Sequence, residues 1–170
     1  FSHRGIRWVA AIFTFSPMVL AILLFAYFDK STTGVIQFEE NIAWIPALNA
    51  FYHLGVDGLN LPFVVLTTFL GFIVVLISWK IEERPREYFA WLLLLETSIL
   101  GVFSSLDLLF FFIFWEIEVV PMYFLISIWG AKPPEGRREY SAIKYVVYTL
   151  FGSALMLAGI LSIYFTTGTM

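Results

Sequence analysis

The chain has 170 residues, of which 60% are hydrophobic, 19% aromatic and only 14% charged, with a mean hydropathy of +0.85. A soluble domain carries roughly 45–50% apolar and 25% charged residues, so this composition excludes a soluble globular fold and requires several membrane spans. A formal charge of -3 argues for no nucleic-acid or acidic partner, and the absence of cysteine excludes disulfides, thiol chemistry and cysteine-ligated iron–sulfur clusters. His3 and His53 lie fifty residues apart, make no metal-ligand spacing and read as surface or loop residues. The chain opens on Phe1 and closes on Met170 directly after an apolar run, without a signal-peptide pattern, and is expected to be part of a longer protein.

Five apolar segments, about 8–28, 60–79, 87–105, 108–129 and 141–166, each approach the roughly 20 residues that cross a hydrocarbon core. All are expected to be helices, because a spanning segment must satisfy its own backbone hydrogen bonds. The runs are too long and continuous for barrel strands. The expected fold is therefore all-α, a polytopic bundle of about five spanning helices.

In the first segment, Pro17 predicts a kink. Residues 29–59 form the longest polar stretch, with Gly34, the pair Glu39 and Glu40, Pro46 and a turn at 55–58. The alternation at 35–39 allows a short strand or hairpin on the membrane face. Asp57, between two glycine-bounded positions, reads as turn chemistry rather than as a ligand. Asn60 is placed to cap the second helix, with Pro62 in its first turn. The links at 80–86 and 104–107 are short, which makes helices two to five antiparallel neighbours.

Basic residues set the orientation, because cytoplasmic loops are enriched in Lys and Arg. On alternate sides, Arg4, Arg7, Lys80, Arg84, Arg86, Lys132, Arg137, Arg138 and Lys144 stand against Lys30 alone. This places the N-terminus and the 80–86 and 130–140 loops inside, and the acidic 29–59 segment outside.

Four ionisable residues fall within the spans: Glu96, Glu116, Glu118 and Lys144. From the helical rise, Glu96 lies about 14 Å and Glu116 about 20 Å from the cytoplasmic ends of their helices, near mid-membrane, whereas Lys144 is only about 5 Å deep and can snorkel. A charge at the bilayer centre costs at least about 2.5 kcal/mol, so these acids must meet protein or water. Glu116 and Glu118 are about 200° apart around a helix and cannot line one narrow path. Glu116 shares its face with Phe112, Val120, Tyr123 and Ser127; Glu118 shares its own with Pro121, Met122, Leu125 and Trp129. Pro121 supplies no amide to the Ile117 carbonyl, leaving an acceptor for water beside both acids.

That cluster resembles part of a proton relay, with Glu116 as its main carrier, against the alternative of neutral acids that only fix packing. These depths argue for a water-bridged coupling between Glu116 and Lys144 in place of a direct ion pair. Glu96, beside Thr97 and Ser98, reads either as a lateral proton donor to the fourth helix or as a hydrogen-bonding group across the bundle. The small residues Gly152, Ser153, Ala154, Ala158 and Gly159 predict close packing of the fifth helix. Tyr145, Tyr148, Trp79 and Trp129 are read as interfacial aromatics.

The run FFFIFWEIEVVPMYFLISIWG at 110–130, with YSAIKYVVYTLFGSALML at 140–157 and YHLGVDGLNLP at 52–62, resembles the subunit M family of proton-translocating NADH-quinone oxidoreductase, respiratory complex I. The resemblance implies helices two to six of an antiporter-like subunit of about fourteen. Residues 1–86 would be an N-terminal transmembrane region, and 87–170 the incomplete start of the proton-translocating domain. It implies that Glu116 is the family's mid-membrane glutamate and Lys144 a relay or tuning lysine, with no family role for Glu118. Proton translocation would be coupled to quinone reduction elsewhere, with NAD, FMN, iron–sulfur clusters and quinone in partner subunits and no cofactor or metal in this chain. The implied partners are other membrane subunits of complex I, especially neighbouring antiporter-like ones, and the lipid bilayer, in a bacterial plasma membrane. The competing readings are a subunit of a multisubunit cation/proton antiporter or membrane-bound hydrogenase, and a purely structural membrane subunit.

Overall fold

The computed structural model describes residues 3–31, 35–133 and 136–168, with His3 described by its backbone only. The sequence readings at Phe1, Gly34 and Met170, and at the His3 side chain, fall outside the described residues. In chain order the elements are α1 (His3–Tyr27), β1 (Gln37–Ile45), β2 (Ala50–Val56), α2 (Leu61–Ile77), α3 (Pro85–Ser104), α4 (Leu108–Trp129) and α5 (Arg138–Thr167). Among the described residues, all five helices are long and apolar enough to cross a membrane. The protein is a multi-pass membrane chain whose spanning part is entirely helical.

Helix ends follow local chemistry rather than hydropathy. α1 begins at His3, five residues before the expected start, and α5 at Arg138, three before, because charged first turns are helical while lying outside the apolar run. Pro17 sits inside α1, which continues past it. At the start of α2 the expected cap changes hands. Asn60 has helical dihedrals and makes no capping bond. Asp57 instead accepts from the Leu59 and Asn60 amides at 2.8 and 2.7 Å, while Asn60 accepts from the Asp57 amide and donates to the Gly55 carbonyl. The turn reading of Asp57 holds.

The 29–59 segment is more structured than a short strand. β1 and β2 form an antiparallel hairpin with irregularities at 37–40 and 43–45. A 3-10 turn at Pro46–Leu48 closes through the Asn49 amide to the Pro46 carbonyl, with Asn49 at φ 51°, a conformation asparagine tolerates. His53 on β2 pairs across the hairpin with Glu39 at 2.7 Å. The hairpin is fastened to the link between α3 and α4: the Leu106 amide donates to the His53 carbonyl at 2.9 Å, and Leu54 bridges Ser105.

Two small clusters hold α1, α2 and α3 together. At one end Ala10, Ala11, Val75, Phe89 and Leu92 are buried with Trp79 and Tyr88 against them. At the other, Ala21, Val56, Leu61 and Val64 tie α1 and α2 to the hairpin. Alanines on α1 let backbones approach, as membrane helix packing requires. The small residues of α5 behave otherwise: Ser153 is buried, but Gly152 and Gly159 face open space and Ala154 and Ala158 are exposed. Within the described chain the expected close packing is confined to Ser153.

Candidate functional site

The site is built on α4. Asp107, in extended geometry, accepts from the Leu109 and Phe110 amides at 2.9 and 3.0 Å and starts the helix. Its second oxygen accepts from the Phe51 amide of the hairpin at 2.8 Å. Asp107 is only 3% exposed, so both oxygens are satisfied inside the protein. The other end is held by the Arg138 guanidinium donating to the Ile128 carbonyl and by the Trp129 indole donating to the Glu83 carbonyl at 2.7 Å. Trp129, read as an interfacial aromatic, is thus also a tie to the 80–86 link.

Between these anchors α4 is continuous through the buried Pro121. Having no N–H, Pro121 leaves the Ile117 carbonyl without its intrahelical donor. Glu116 is half-buried, and its Oε1 is shielded from solvent with no hydrogen-bond partner. In a low-dielectric setting such an oxygen demands a proton, a water or a cation.

Glu118 faces elsewhere, as the helical spacing predicts. It lies within electrostatic reach of Tyr145 on α5. Tyr145 is therefore not simply an interfacial ring: it is half-buried and turned toward an acid.

Glu96 is 7% exposed and its Oε1 also lacks a partner. The carboxyl lies against Gly71 of α2, where an added Cβ would stand 2.6 Å from Glu96 Cδ. Around it is a cavity of about 310 Å³ lined by Thr67, Val74 and Ile99 among others. The side chain is thus brought to α2 and not to α4, because α3 turns a different face, carrying Trp91 and Gly101, toward Phe124 and Phe114 of α4. The ring pairs Trp91–Phe124 and Tyr88–Trp129 set α3 antiparallel to α4, which brings Glu96 level with the 116–119 turn. Three acids therefore share one depth on three different faces.

Lys144 is exposed, with its Nζ 5.8 Å from the Tyr148 ring centroid. The early start of α5 puts it six residues into the helix, about 9 Å along the axis, but the added residues Arg138–Tyr140 lie outside the apolar run, so its depth below the interface is unchanged. Among the described residues Glu116 and Lys144 form no ion pair. No three His, Asp or Glu side chains among the described residues converge as a metal-binding group.

Sequence reasoning missed Asp107, Gly71 and Tyr145. An acid directly before an apolar run is a capping signature, so Asp107 was within reach. The other two depend on how neighbouring helices are rotated, which no local pattern encodes.

Residues 105–170, which include α4 and α5, match the family model described as NADH:quinone oxidoreductase/Mrp antiporter, TM. The chain is 42% identical over 168 residues to NADH-quinone oxidoreductase subunit M of Rhodobacter capsulatus, covering 99% of this chain and 31% of that protein. It is 40% identical to NAD(P)H-quinone oxidoreductase chain 4 1 of Picosynechococcus, covering 97% and 30% respectively. The chain is a homologue of these subunits. A third relative, F(420)H(2) dehydrogenase subunit M of Methanosarcina mazei, is 35% identical over 94% of this chain and 32% of its own length. The chain thus spans about a third of the length of the curated relatives it matches. Its fold recurs in the Mrp complex from Dietzia, with a TM-score of 0.78 over 96% of this chain and 17% of that one, at 22% identity.

Proposed function

We propose that the chain is part of a proton-conducting membrane subunit of a complex I-type NADH:quinone oxidoreductase, with Glu116 as the group that takes up and releases the proton. The observation that carries this reading is the Glu116 Oε1: solvent-shielded, mid-span and without a partner, on the helix where Pro121 has freed a carbonyl. A carboxyl in that setting exchanges protons with transient waters while staying fixed on α4.

Lys144 tunes this site through water rather than by direct contact. Glu96 is a lateral proton store at the same depth, and Glu118 with Tyr145 a secondary pair toward α5. Quinone reduction and its cofactors NAD, FMN and iron–sulfur clusters belong to partner subunits, with neighbouring antiporter-like subunits beside this one in a bacterial plasma membrane. The relatives differ in the electron donor their names carry. That is consistent with a proton path indifferent to the donor.

The test is Glu116→Gln in the full-length protein. The expected result is an assembled complex that oxidises NADH with greatly reduced proton pumping per electron. An assembled complex with unchanged pumping overturns the relay, and loss of assembly points to a packing role.

A further inference from the structure

A groove of about 560 Å³ runs between α1 and α2, walled by Trp8 and Phe15 on one side and Phe72, Leu76 and Trp79 on the other. Trp8 and Trp79 meet edge to face at its mouth, with ring centroids 5.4 Å apart, and Phe15 and Phe72 close its inner end at the same separation. Seven residues from Trp8 to Phe15 give it a depth of about 10 Å along the helix. Tryptophans sit preferentially at headgroup level, so the groove descends from the interface into the hydrocarbon layer.

The mouth is basic. Arg7 donates through Nη2 to the Ile81 carbonyl at 3.1 Å, but its Nε is buried and has no acceptor. Arg4 lies one turn away on α1, and Lys80 follows Trp79 directly; both are exposed and make no ion pair among the described residues. Nearby acids do not cancel them. Glu83 is engaged by Lys132 at 3.3 Å and Glu87 by Arg84 at 3.5 Å, which leaves Glu82.

We propose that this groove binds one anionic phospholipid, with an acyl chain between Trp8–Phe15 and Phe72–Leu76 and its phosphate at Arg4, Arg7 and Lys80. An apolar groove at membrane depth holds hydrocarbon, and three cations at its mouth select a negative headgroup over a zwitterionic one. Long-lived occupancy cements α1 to α2 beside the small buried cluster of Ala10, Ala11 and Val75.

The test uses the full-length protein in phosphatidylcholine vesicles doped with phosphatidylglycerol or phosphatidylcholine carrying brominated acyl chains, which quench tryptophan fluorescence on contact. Brominated phosphatidylglycerol is expected to quench more strongly, and the excess should vanish in Trp8→Phe/Trp79→Phe. Arg4→Gln and Lys80→Gln, which leave the Arg7–Ile81 bond intact, should each lower the preference by about fivefold, and excess inorganic phosphate should not. Equal quenching by both headgroups overturns the proposal. Absence of any quenching assignable to Trp8 and Trp79 also overturns it, since a partner helix then fills the groove. Competition by inorganic phosphate does so too, as it reduces the mouth to a plain anion site.

Discussion

Asp107 ties down three backbone amides with two oxygens: the Leu109 and Phe110 amides in the first turn of α4 and the Phe51 amide of the hairpin. Asp107→Ala removes a helix cap and strands a partly buried N–H, an expected loss of about 2–3 kcal/mol. Asp107→Asn keeps the capping oxygen and loses the bond to Phe51, so its unfolding midpoint in detergent should fall between wild type and alanine. The cap was legible from an acid preceding an apolar run, whereas the bond to Phe51 joins positions 56 apart and leaves no local trace. Glu96 shows the same division. Its depth was readable from the helical rise, but its direction, against Gly71, was not. Gly71→Ala should destabilise by about 1–3 kcal/mol through overlap with the Glu96 carboxyl, and Gly71→Ala/Glu96→Ala should recover most of that loss in a double-mutant cycle.

Among the elements, α4 was the one whose limits could be read outright, since Asp107 and Gly130 bound a continuous apolar run. α5 was drawn too short because hydropathy senses hydrocarbon and not hydrogen bonding: Arg138 and Glu139 are helical but polar. The hairpin was only glimpsed at 35–39, since strands as exposed as β1 have no buried face to impose a clear alternation. Contact between α3 and α4 turns on Gly101, where an added Cβ would stand 2.2 Å from Phe114 Cδ1. Gly101→Ala should push the two helices apart and lower the thermal midpoint of the full-length protein, and Phe114→Leu in the same chain should restore part of it.

For the whole molecule, the alternation of basic loops predicts sidedness, and the cysteine-free sequence makes the prediction easy to check. Single cysteines at Lys30 and Lys132 in the full-length protein, taken on a background free of other cysteines, should react with a membrane-impermeant maleimide from opposite faces in intact cells and inverted vesicles. Reaction from the same face would require an even number of spans between them. The five-helix fold was legible because each span must carry its own hydrophobic run, but the mutual rotation of helices, which decides that Glu96 meets Gly71, was not. The two ends of α4 bear on how such a molecule can move. One is clamped to the hairpin through Asp107, the other to Arg138 and to the 80–86 link through Trp129. Sliding α4 along its axis by one turn would break bonds at both faces of the membrane at once. The helix that carries Glu116 is therefore a stator rather than a piston, and any change of charge on it has to be met by rotamers, water and neighbouring helices moving around a fixed post.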